Sequence, residues 1–511
     1  MGGMTTEESA TGPTTPDQPL ADRVNTRSRR PQSAAFRDFV SSGWDRASAG
    51  DAQPLPAAAW TPARREALSR SFPGERLVIP AGGLKVRSND TDYVFRAHSA
   101  FIHLTGLEQD SEPDSVLVLE PTEDGHEQTF YFRPRAGADT EEFFSDSRYG
   151  EYWVGPREDL ATMEARTGIA CADIREAPEA ITKDLGSVSV RLLRGADTVI
   201  EAQIDTAREQ VAADLEISLA GDDELAQFLS ELRLIKDEYE IGEMRRAVDI
   251  TRAGFDTVVA SLPRAVAHAR GERVIETAFA QAARSDGNGV GYDTIAAAGD
   301  HACTLHWIKN TGAVADGDLV LVDAGAEADS LYTADITRTL PVSGTFTEVQ
   351  GRIYDAVLEA ADAAFAVAAE HTRRPVVFAE VHDAAMRVIA HRLADFGLLP
   401  VSVDEALAPT GQQHRRWMVH GTSHHLGLDV HDCAQARADM YLGAELRPGM
   451  VFTIEPGLYF KAADLLVPEE YRGIGVRIED DVLVTEDGVE NLSAGFPRTR
   501  AEVEAWVQGA R

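Results

Sequence analysis

Five residues of metal-binding type occur in sequence contexts that would direct all five side chains into the same pocket. They are four carboxylates and one imidazole: Asp323, Asp335, His424, Glu455 and Glu479. Asp323 ends an apolar run typical of a buried strand, and Glu455 and Glu479 each follow an apolar segment. Four bare carboxylates in a poorly solvated pocket would repel one another strongly. Two divalent cations would cancel their four negative charges, so the residues predict a dinuclear metal site.

The donor atoms limit the choice of metal. One imidazole and four carboxylates form an oxygen-rich set that suits Mn(II), with Co(II), Fe(II) or Zn(II) as alternatives. A structural zinc site would need thiolates, and the three cysteines form no paired motif. A zincin helix is excluded because Gly421 stands where that motif requires a general-base glutamate.

The flanks of these residues resemble those of the pita-bread metallopeptidases, which include methionine aminopeptidases, prolidases and aminopeptidases P. The similarity runs from about residue 230 to residue 495, and the matching motifs occur in the family's order: Asp323-Ala-Gly, Asp335-Ile-Thr-Arg-Thr, His420-Gly-x-x-His424-x-x-Gly, Glu455-Pro-Gly and Val476-Arg-Ile-Glu479-Asp. The resemblance implies that the five residues named above are the metal ligands, and that Asp335 and Glu479 bridge the two metals.

The same resemblance suggests roles for residues beyond the metal ligands. His306 would lie near the first residues of a substrate. His420 and His431 would flank the active site, with His431 hydrogen-bonded to the substrate carbonyl region. Glu455 would also carry a proton from water to the leaving nitrogen. Arg477 precedes Glu479 by two residues, so on a strand their side chains share one face. Its guanidinium could orient a ligand carboxylate, and a surface salt bridge is the alternative.

Three features point to aminopeptidase P within this family. More than 200 residues precede the catalytic half, and the segment 93–106 is similar to part of the aminopeptidase P amino-terminal domain. The segment 420–432 also resembles aminopeptidase P, because prolidases more often carry Gly where this chain has Ser423. His425 is a departure, since an aromatic residue is common there. The expected activity is release of the first residue from peptides with proline second. A prolidase acting on Xaa-Pro dipeptides and a non-catalytic peptide-binding module are the alternatives.

Composition and charge set the remaining expectations. The chain has 511 residues, 43% of them hydrophobic, and a formal net charge of −35, which argues against nucleic-acid binding. No apolar run or signal-like start predicts a membrane span or secretion. Three unpaired cysteines indicate a reducing, cytoplasmic location. The expected fold is α/β (α+β): a disordered tail over residues 1–50, an α/β domain over 51–220 and a pita-bread domain over 221–511. The resemblance implies a homo-oligomer, either a dimer or a tetramer.

Several elements are predicted in the two domains. Apolar runs predict strands near residues 76–80, 115–119 and 129–132, and in the catalytic half strands over 319–323, 451–455 and 474–479. A helix is expected over 222–260, ending near Pro263, with an apolar stripe at spacings of three and four. Two further helices are expected within 350–396, separated near Pro375.

Overall fold

A computed structural model describes residues 33–44, 52–89, 91–109, 111–211 and 213–510. Most of the predicted disordered tail, residues 1–32 and 45–50, lies outside the described residues. Within that predicted tail, Ala34–Val40 forms an α-helix, whose N-cap Ser33 accepts a hydrogen bond from the Phe36 amide. The chain divides into two compact units, one of residues 1–58, 73–101 and 111–215, the other of residues 59–72, 102–110 and 216–511.

The strands are short, and most are paired antiparallel. In chain order they are β1 Arg76–Pro80, β2 Val86–Ser88, β3 Thr91–Asp92, β4 Val116–Thr122, β5 Gly125–Phe132, β6 Ala170–Asp173, β7 Val190–Leu192, β8 Gly289–Val290, β9 Ile295–Ala298, β10 Leu319–Ala324, β11 Ala326–Glu327, β12 Ile336–Pro341, β13 Val451–Ile454, β14 Gly457–Phe460, β15 Ile474–Arg477, β16 Asp480–Thr485 and β17 Gly488–Asn491.

The α-helices range from single turns to one of 29 residues. They are α1 Ala34–Val40, α2 Thr61–Ser71, α3 Ser99–Thr105, α4 Glu141–Ser145, α5 Glu151–Val154, α6 Leu160–Thr167, α7 Ala177–Thr182, α8 Thr198–Gln210, α9 Leu215–Leu232, α10 Glu238–Val266, α11 Gly271–Asp286, α12 Glu348–Ala369, α13 Phe378–Asp395, α14 Val403–Leu407 and α15 Arg500–Gly509. Among the helices of the described ranges, none is both long and apolar enough to cross a membrane.

The first unit is built on a five-stranded mixed sheet in the order β6-β5-β4-β1-β7. Its three central strands are antiparallel, and β6 and β7 add parallel at the two edges. Val78 and Val118 of the sheet pack against Ile181 of α7 and Ile204 of α8. The strands predicted in this half from apolar runs are therefore confirmed.

The second unit contains two three-stranded sheets, β12-β10-β9 and β13-β16-β17, and the β14-β15 pair. Every residue of β10 is buried, as expected for a strand covered on both faces. Helices α12 and α13 pack against each other, and α12 also contacts β13, β14 and β15. Small residues such as Ala356, Ala360 and Ala364 are fully or nearly fully buried along α12, so its backbone approaches its neighbours closely. The two helices predicted within 350–396 are confirmed.

The helix predicted over 222–260 was wrong in its boundaries, because two helices occupy this region. Helix α9 ends at Leu232, and α10 begins after Asp237, whose side chain accepts a hydrogen bond from the Glu240 amide while Glu240 bonds back to the Asp237 amide. This capping box starts a new helix. Pro263 does not end α10, which continues to Val266, because a proline in the final turn removes few helical hydrogen bonds. The predicted apolar stripe is buried throughout.

Candidate metal centre and active site

One cavity of about 360 Å³ in the second unit brings the predicted site residues together. Its walls include every residue proposed from the sequence: Asp323, Asp335, His424, Glu455, Glu479, His306, His420, His431 and Arg477. Leu305, Gly421 and Ser423 complete the lining. Residues separated by more than 170 positions along the chain therefore face one space.

The antiparallel pair β10 and β12 positions the two aspartates. Asp323 lies within β10 opposite Thr337, and Asp335 immediately precedes β12, whose first residue is opposite Ala324. The pairing places both carboxylates at the same end of the sheet. Both side chains are nearly completely buried, so their charges have little water to solvate them.

Backbone hydrogen bonds connect the histidine loop to β13. The Thr453 amide donates to the His424 carbonyl at 2.9 Å, and the His424 amide donates to Thr453 Oγ1 at 3.2 Å. The Glu455 amide donates to the Thr422 carbonyl at 2.8 Å. The loop that carries His424 is thereby held beside the strand that ends at Glu455.

The two glutamates lie just beyond strand ends, and the prediction that both belong to strands was wrong in this detail. Strand β13 ends one residue before Glu455, and β15 ends at Arg477. The chain then leaves its pairing with β14 and joins β13 as β16, beginning at Asp480. Glu479 lies at this change of partner, where its amide donates to the Thr337 carbonyl at 3.1 Å.

Three of the side chains form a compact group of potential ligands. Asp335, His424 and Glu479 each offer one donor atom, and these atoms lie within 4.8 Å of one another. His424 Nδ1 lies 3.1 Å from the His425 carbonyl, a contact in which Nδ1 donates. Nε2 lies 3.4 Å from Asp335 Oδ2 and 3.6 Å from Glu455 Oε1, so a neutral His424 that keeps its proton on Nδ1 would offer the Nε2 lone pair beside these carboxylates. This tautomer is the one that a metal-ligating histidine requires.

Burial and mutual repulsion disfavour the charged forms of the acids. Burial raises the pKa of Glu455 to about 7, although His424 and Arg477 oppose the increase. Burial and the neighbouring Asp335 hold the pKa of Glu479 well above its ordinary value. The pKa of Asp323 is also raised by burial, although Arg477 favours its charge. The carboxylates therefore need added positive charge to be ionised together, as expected of a site for divalent cations.

Burial and the neighbouring charges shift the pKa values of the histidines in different directions. Burial lowers the pKa of His424, but the carboxylates of Asp335 and Glu455 outweigh it and raise the value to about 9. Burial and Arg477 lower the pKa of His420 to about 3. His431 has a lowered pKa through burial and the adjacent His424. His420 and His431 are therefore neutral near pH 7 and can each donate and accept a hydrogen bond.

Arg477 is a buried ion-pair partner, which excludes the surface salt bridge considered as its alternative. Its guanidinium donates to Asp323 Oδ2, to Thr337 Oγ1 at 3.1 Å and to the Tyr459 hydroxyl at 3.1 Å. Thr337 in turn donates to Glu479 Oε2 at 2.6 Å. One arginine thus connects ligand carboxylates at opposite sides of the cavity through short hydrogen bonds.

Sequence reasoning missed two tyrosines of this site. The Tyr292 hydroxyl contacts Asp323 Oδ1 at 2.7 Å and also Asp335 Oδ1. The Tyr459 hydroxyl lies 2.7 Å from His420 Nε2. Tyr292 lies outside the five motifs that carry the predicted ligands, so no motif of the sequence marks it. Tyr459 follows Glu455 by four residues on the next strand, and only the pairing of β14 with β15 places it beside Arg477.

The donor set fits divalent metal ions. The group combines hard carboxylate oxygens with one correctly oriented imidazole nitrogen, and the ligand carboxylates are oriented by Arg477, Thr337 and Tyr292. Such orienting hydrogen bonds are typical of the shell around metal ligands.

Two family matches agree with this architecture. Residues 242–486 match metallopeptidase family M24, and residues 62–192 match the aminopeptidase P N-terminal domain. The fold and site are therefore those of a two-domain metallopeptidase.

Relatives along nearly the whole chain define the family more closely. The chain is 50% identical over 510 residues to Xaa-Pro aminopeptidase 1 of Streptomyces coelicolor, covering 99% of both chains. It is 35% identical to the Xaa-Pro aminopeptidase of Escherichia coli, covering 88% of this chain and 97% of that relative. Zinc-substituted E. coli aminopeptidase P in complex with product superposes with a TM-score of 0.75 at 32% identity, covering 89% of this chain and 99% of that one.

The chain belongs to the aminopeptidase P family of M24 metallopeptidases. The predicted fold class, with a C-terminal pita-bread domain and a smaller N-terminal α/β domain, is confirmed.

Proposed function

We propose that this protein is a metal-dependent Xaa-Pro aminopeptidase, which releases the first residue from peptides with proline second. The observation that carries the proposal is the single cavity where four carboxylates, four imidazoles and a buried arginine converge. This combination supplies metal ligands and substrate-facing hydrogen-bond donors in one space. The full-length similarity to named Xaa-Pro aminopeptidases supports the same reaction.

Asp323, Asp335, His424, Glu455 and Glu479 would hold two divalent ions. Bound there, such ions lower the pKa of water and polarise a carbonyl oxygen. We propose Mn(II) as the resident metal because the set is rich in oxygen, with Co(II), Fe(II) or Zn(II) as substitutes.

Glu455 is positioned to move a proton during hydrolysis. Its Oε1 lies 3.6 Å from His424 Nε2, and its Oε2 lies 3.6 Å from His420 Nδ1. The carboxylate thus lies between the ligand His424 and the neutral His420. In the proposed reaction it takes a proton from the attacking water and delivers it to the proline nitrogen of the broken bond.

His306 and His431 line the cavity near its opening, and both are exposed. His431 stands against His424, with ring centroids 4.5 Å apart in an edge-to-face arrangement. In the proposed complex His431 donates a hydrogen bond to the substrate carbonyl region, and His306 contacts the first residues. The substrate's free amino group would lie near Asp323, a contact available only to a chain terminus.

Proline in the second position is favoured by the chemistry of its amide. An Xaa-Pro bond is a tertiary amide without an N–H, so peptidases that need that hydrogen bond cleave it poorly. A cavity that binds the free amino terminus and the carbonyl does not need it. The fixed φ of proline also reduces the conformational entropy lost on binding.

The proposal is tested with metal-stripped protein, with and without added Mn(II), on Ala-Pro-Ala, Ala-Pro and Ala-Ala-Ala. Metal-dependent alanine release that is strongest from Ala-Pro-Ala is the expected result. Cleavage of Ala-Pro alone would instead indicate a prolidase, and equal cleavage of Ala-Ala-Ala would contradict proline specificity. Asp335→Asn purified in parallel is the control for contaminating peptidase and should be inactive.

We further propose a cytoplasmic homo-oligomer, either a dimer or a tetramer. Three cysteines that form no disulfide are compatible with a reducing compartment. Light scattering coupled to size-exclusion chromatography measures the subunit number, and a monomer at micromolar concentration would contradict this proposal. The domain limits 51–220 and 221–511 are proposed likewise, and limited proteolysis with mass mapping tests them.

A further inference from the structure

The placement of His306 depends on its backbone. His306 lies between the short 3-10 helix Gly299–Cys303 and β10, in a stretch that contains no helix or strand. Its imidazole is exposed and makes no hydrogen bond to any residue that the structure describes. The position of this ring in the cavity is therefore set by whatever holds the surrounding loop.

A buried carboxylate lies at the centre of that loop. Glu272, in the first turn of α11, has no exposed surface. Its Oε1 accepts from the Ala298 amide at 2.9 Å and contacts His301 Nδ1 at 2.7 Å. Its Oε2 accepts from Trp307 Nε1 at 2.9 Å and from the Gly312 amide. Four donors from the segment 298–312, which contains His306, thus converge on a single side chain of another element.

These contacts hold the loop on both sides of His306. Ala298 and His301 precede it, and Gly312 follows it. Trp307 is the adjacent residue, and its indole stacks on the His301 ring with centroids 3.9 Å apart. Because Trp307 is fixed through its indole N–H, the backbone of its neighbour cannot move freely.

Gly312 allows the carboxylate to approach the loop closely. A Cβ at this position would lie 2.7 Å from the Glu272 carboxyl carbon, far inside contact distance. The Glu272 amide also donates to the Gly312 carbonyl at 3.2 Å, so the two residues bond in both directions. The loop therefore packs closely against this carboxylate at Gly312.

We propose that Glu272 is a positioning residue that places His306 in the active-site cavity; this inference rests on the proposed peptidase function. A carboxylate presents two acceptor oxygens, which together receive all four donors. A glutamine would present one oxygen and turn an NH₂ group toward two of the donors. The loop would then have to shift, and a shift of about 1 Å at a substrate-positioning group can cost about 100-fold in rate.

The test is a double-mutant cycle between Glu272→Gln and His306→Ala. In the wild-type background, Glu272→Gln should lower kcat/KM on Ala-Pro-Ala by about 10–100-fold. In the His306→Ala background it should cost less than about 2-fold, because the residue it positions is absent. The matched control is Glu276→Gln, one turn further along α11. Glu276 contacts the Asn310 side chain, which is also held by the Thr294 carbonyl, so this variant should keep wild-type kcat/KM.

Trp307→Phe provides a milder variant in case Glu272→Gln folds poorly. It removes only the indole N–H and keeps an aromatic ring, so a smaller loss that again disappears with His306→Ala is expected. Equal losses in the two backgrounds, for either variant, would overturn the proposal. Unchanged kcat/KM in both variants would overturn it as well.

Amide hydrogen exchange separates this inference from the proposed function. Faster exchange at Ala298 and Gly312 in Glu272→Gln, but not in Glu276→Gln, is expected whether or not the protein cleaves Ala-Pro-Ala. Inactive wild-type protein with these exchange changes would refute the peptidase assignment and leave the loop anchor supported. Unchanged exchange at both amides in Glu272→Gln would refute the anchor itself.

Discussion

Replacing Asp432 with asparagine should strongly destabilise the second compact unit, which contains the candidate active site. Asp432 follows His431 and is 1% exposed. Its Oδ1 accepts from Arg233 Nε at 2.9 Å and from the Cys433 amide at 2.8 Å, and its Oδ2 lies 3.6 Å from Lys236 Nζ. One buried carboxylate therefore compensates two buried cations.

The magnitude follows from the loss of that compensation. The Arg233 side chain is 7% exposed and that of Lys236 is 0% exposed, so water cannot replace the lost charge. Removing one partner of a buried ion pair typically costs about 3–5 kcal/mol, because the other charge stays buried and unpaired. Among the described residues, the ion pair that Arg233 keeps is a 3.7 Å contact with Asp429, whose side chain is 42% exposed, beside its hydrogen bond to the Leu229 carbonyl. We expect a loss within that range for Asp432→Asn.

Equilibrium urea unfolding of metal-free protein, followed by tryptophan fluorescence and circular dichroism, measures the effect. The matched control is Glu490→Gln, which removes an exposed pair with Arg245 and should cost less than about 1 kcal/mol. Burial alone would raise the pKa of Asp432, but Arg233 and Lys236 lower it below its ordinary value. The charge therefore stabilises the fold above the ordinary aspartate pKa, and this stabilisation is lost as the pH falls below it. A loss below about 1 kcal/mol for Asp432→Asn at pH 7 would refute the reasoning.

Four other predictions rest on single contacts. His425 is fully buried against Phe378, and neither ring nitrogen has a hydrogen-bond partner among the residues that the structure describes. His425→Phe should therefore stabilise the protein by about 1–3 kcal/mol in urea unfolding. His414→Phe should destabilise the protein, because the His414 ring is hydrogen-bonded to the Ala406 backbone carbonyl. Destabilisation by both substitutions would contradict the expectation for His425→Phe. Tyr292→Phe should weaken Mn(II) binding about 10–100-fold by calorimetry, and unchanged affinity would show that its hydroxyl does not orient the ligands. Burial alone would raise the pKa of Glu240, but His103 and Arg64 lower it to about 2, so its stabilisation should be lost as the pH falls from about 4.5 to 2. Acid unfolding should accordingly be less pH-dependent over that interval in Glu240→Gln, and an unchanged slope would contradict this.

Much of the candidate site was predictable because its residues occur in local patterns. Asp323 ends a continuous apolar strand, and His424 lies in a motif with fixed spacing to His420 and His431. These signals are local, because an apolar strand and the spacing of histidines in a loop can both be recognised from consecutive residues. All of the predicted residues line one cavity, although no single motif shows which side chains would meet.

The helices and strands were predictable where the hydrophobic periodicity of the sequence was strong. The prediction failed where a helix N-cap starts a new helix. The apolar stripe of α10 was evident at spacings of three and four, and its residues are buried. The break before α10 was missed because Asp237 caps a new helix inside a sequence that remains helix-compatible on both sides. Glu479 was assigned to a strand because alternation continues through a point where the chain changes its partner strand.

By itself the sequence determined the ligand types, their order and the apolar strands that contain or precede most of them. Only the tertiary structure decided which ligand Arg477 orients and that Tyr292 also orients ligands. Arg477 reaches Asp323 across 154 positions, and Tyr292 reaches Asp335 across 43. Glu272 holds a loop that begins 26 residues away. Such contacts depend on how separate elements pack, and because neighbouring residues do not encode that packing, no local periodicity reveals them.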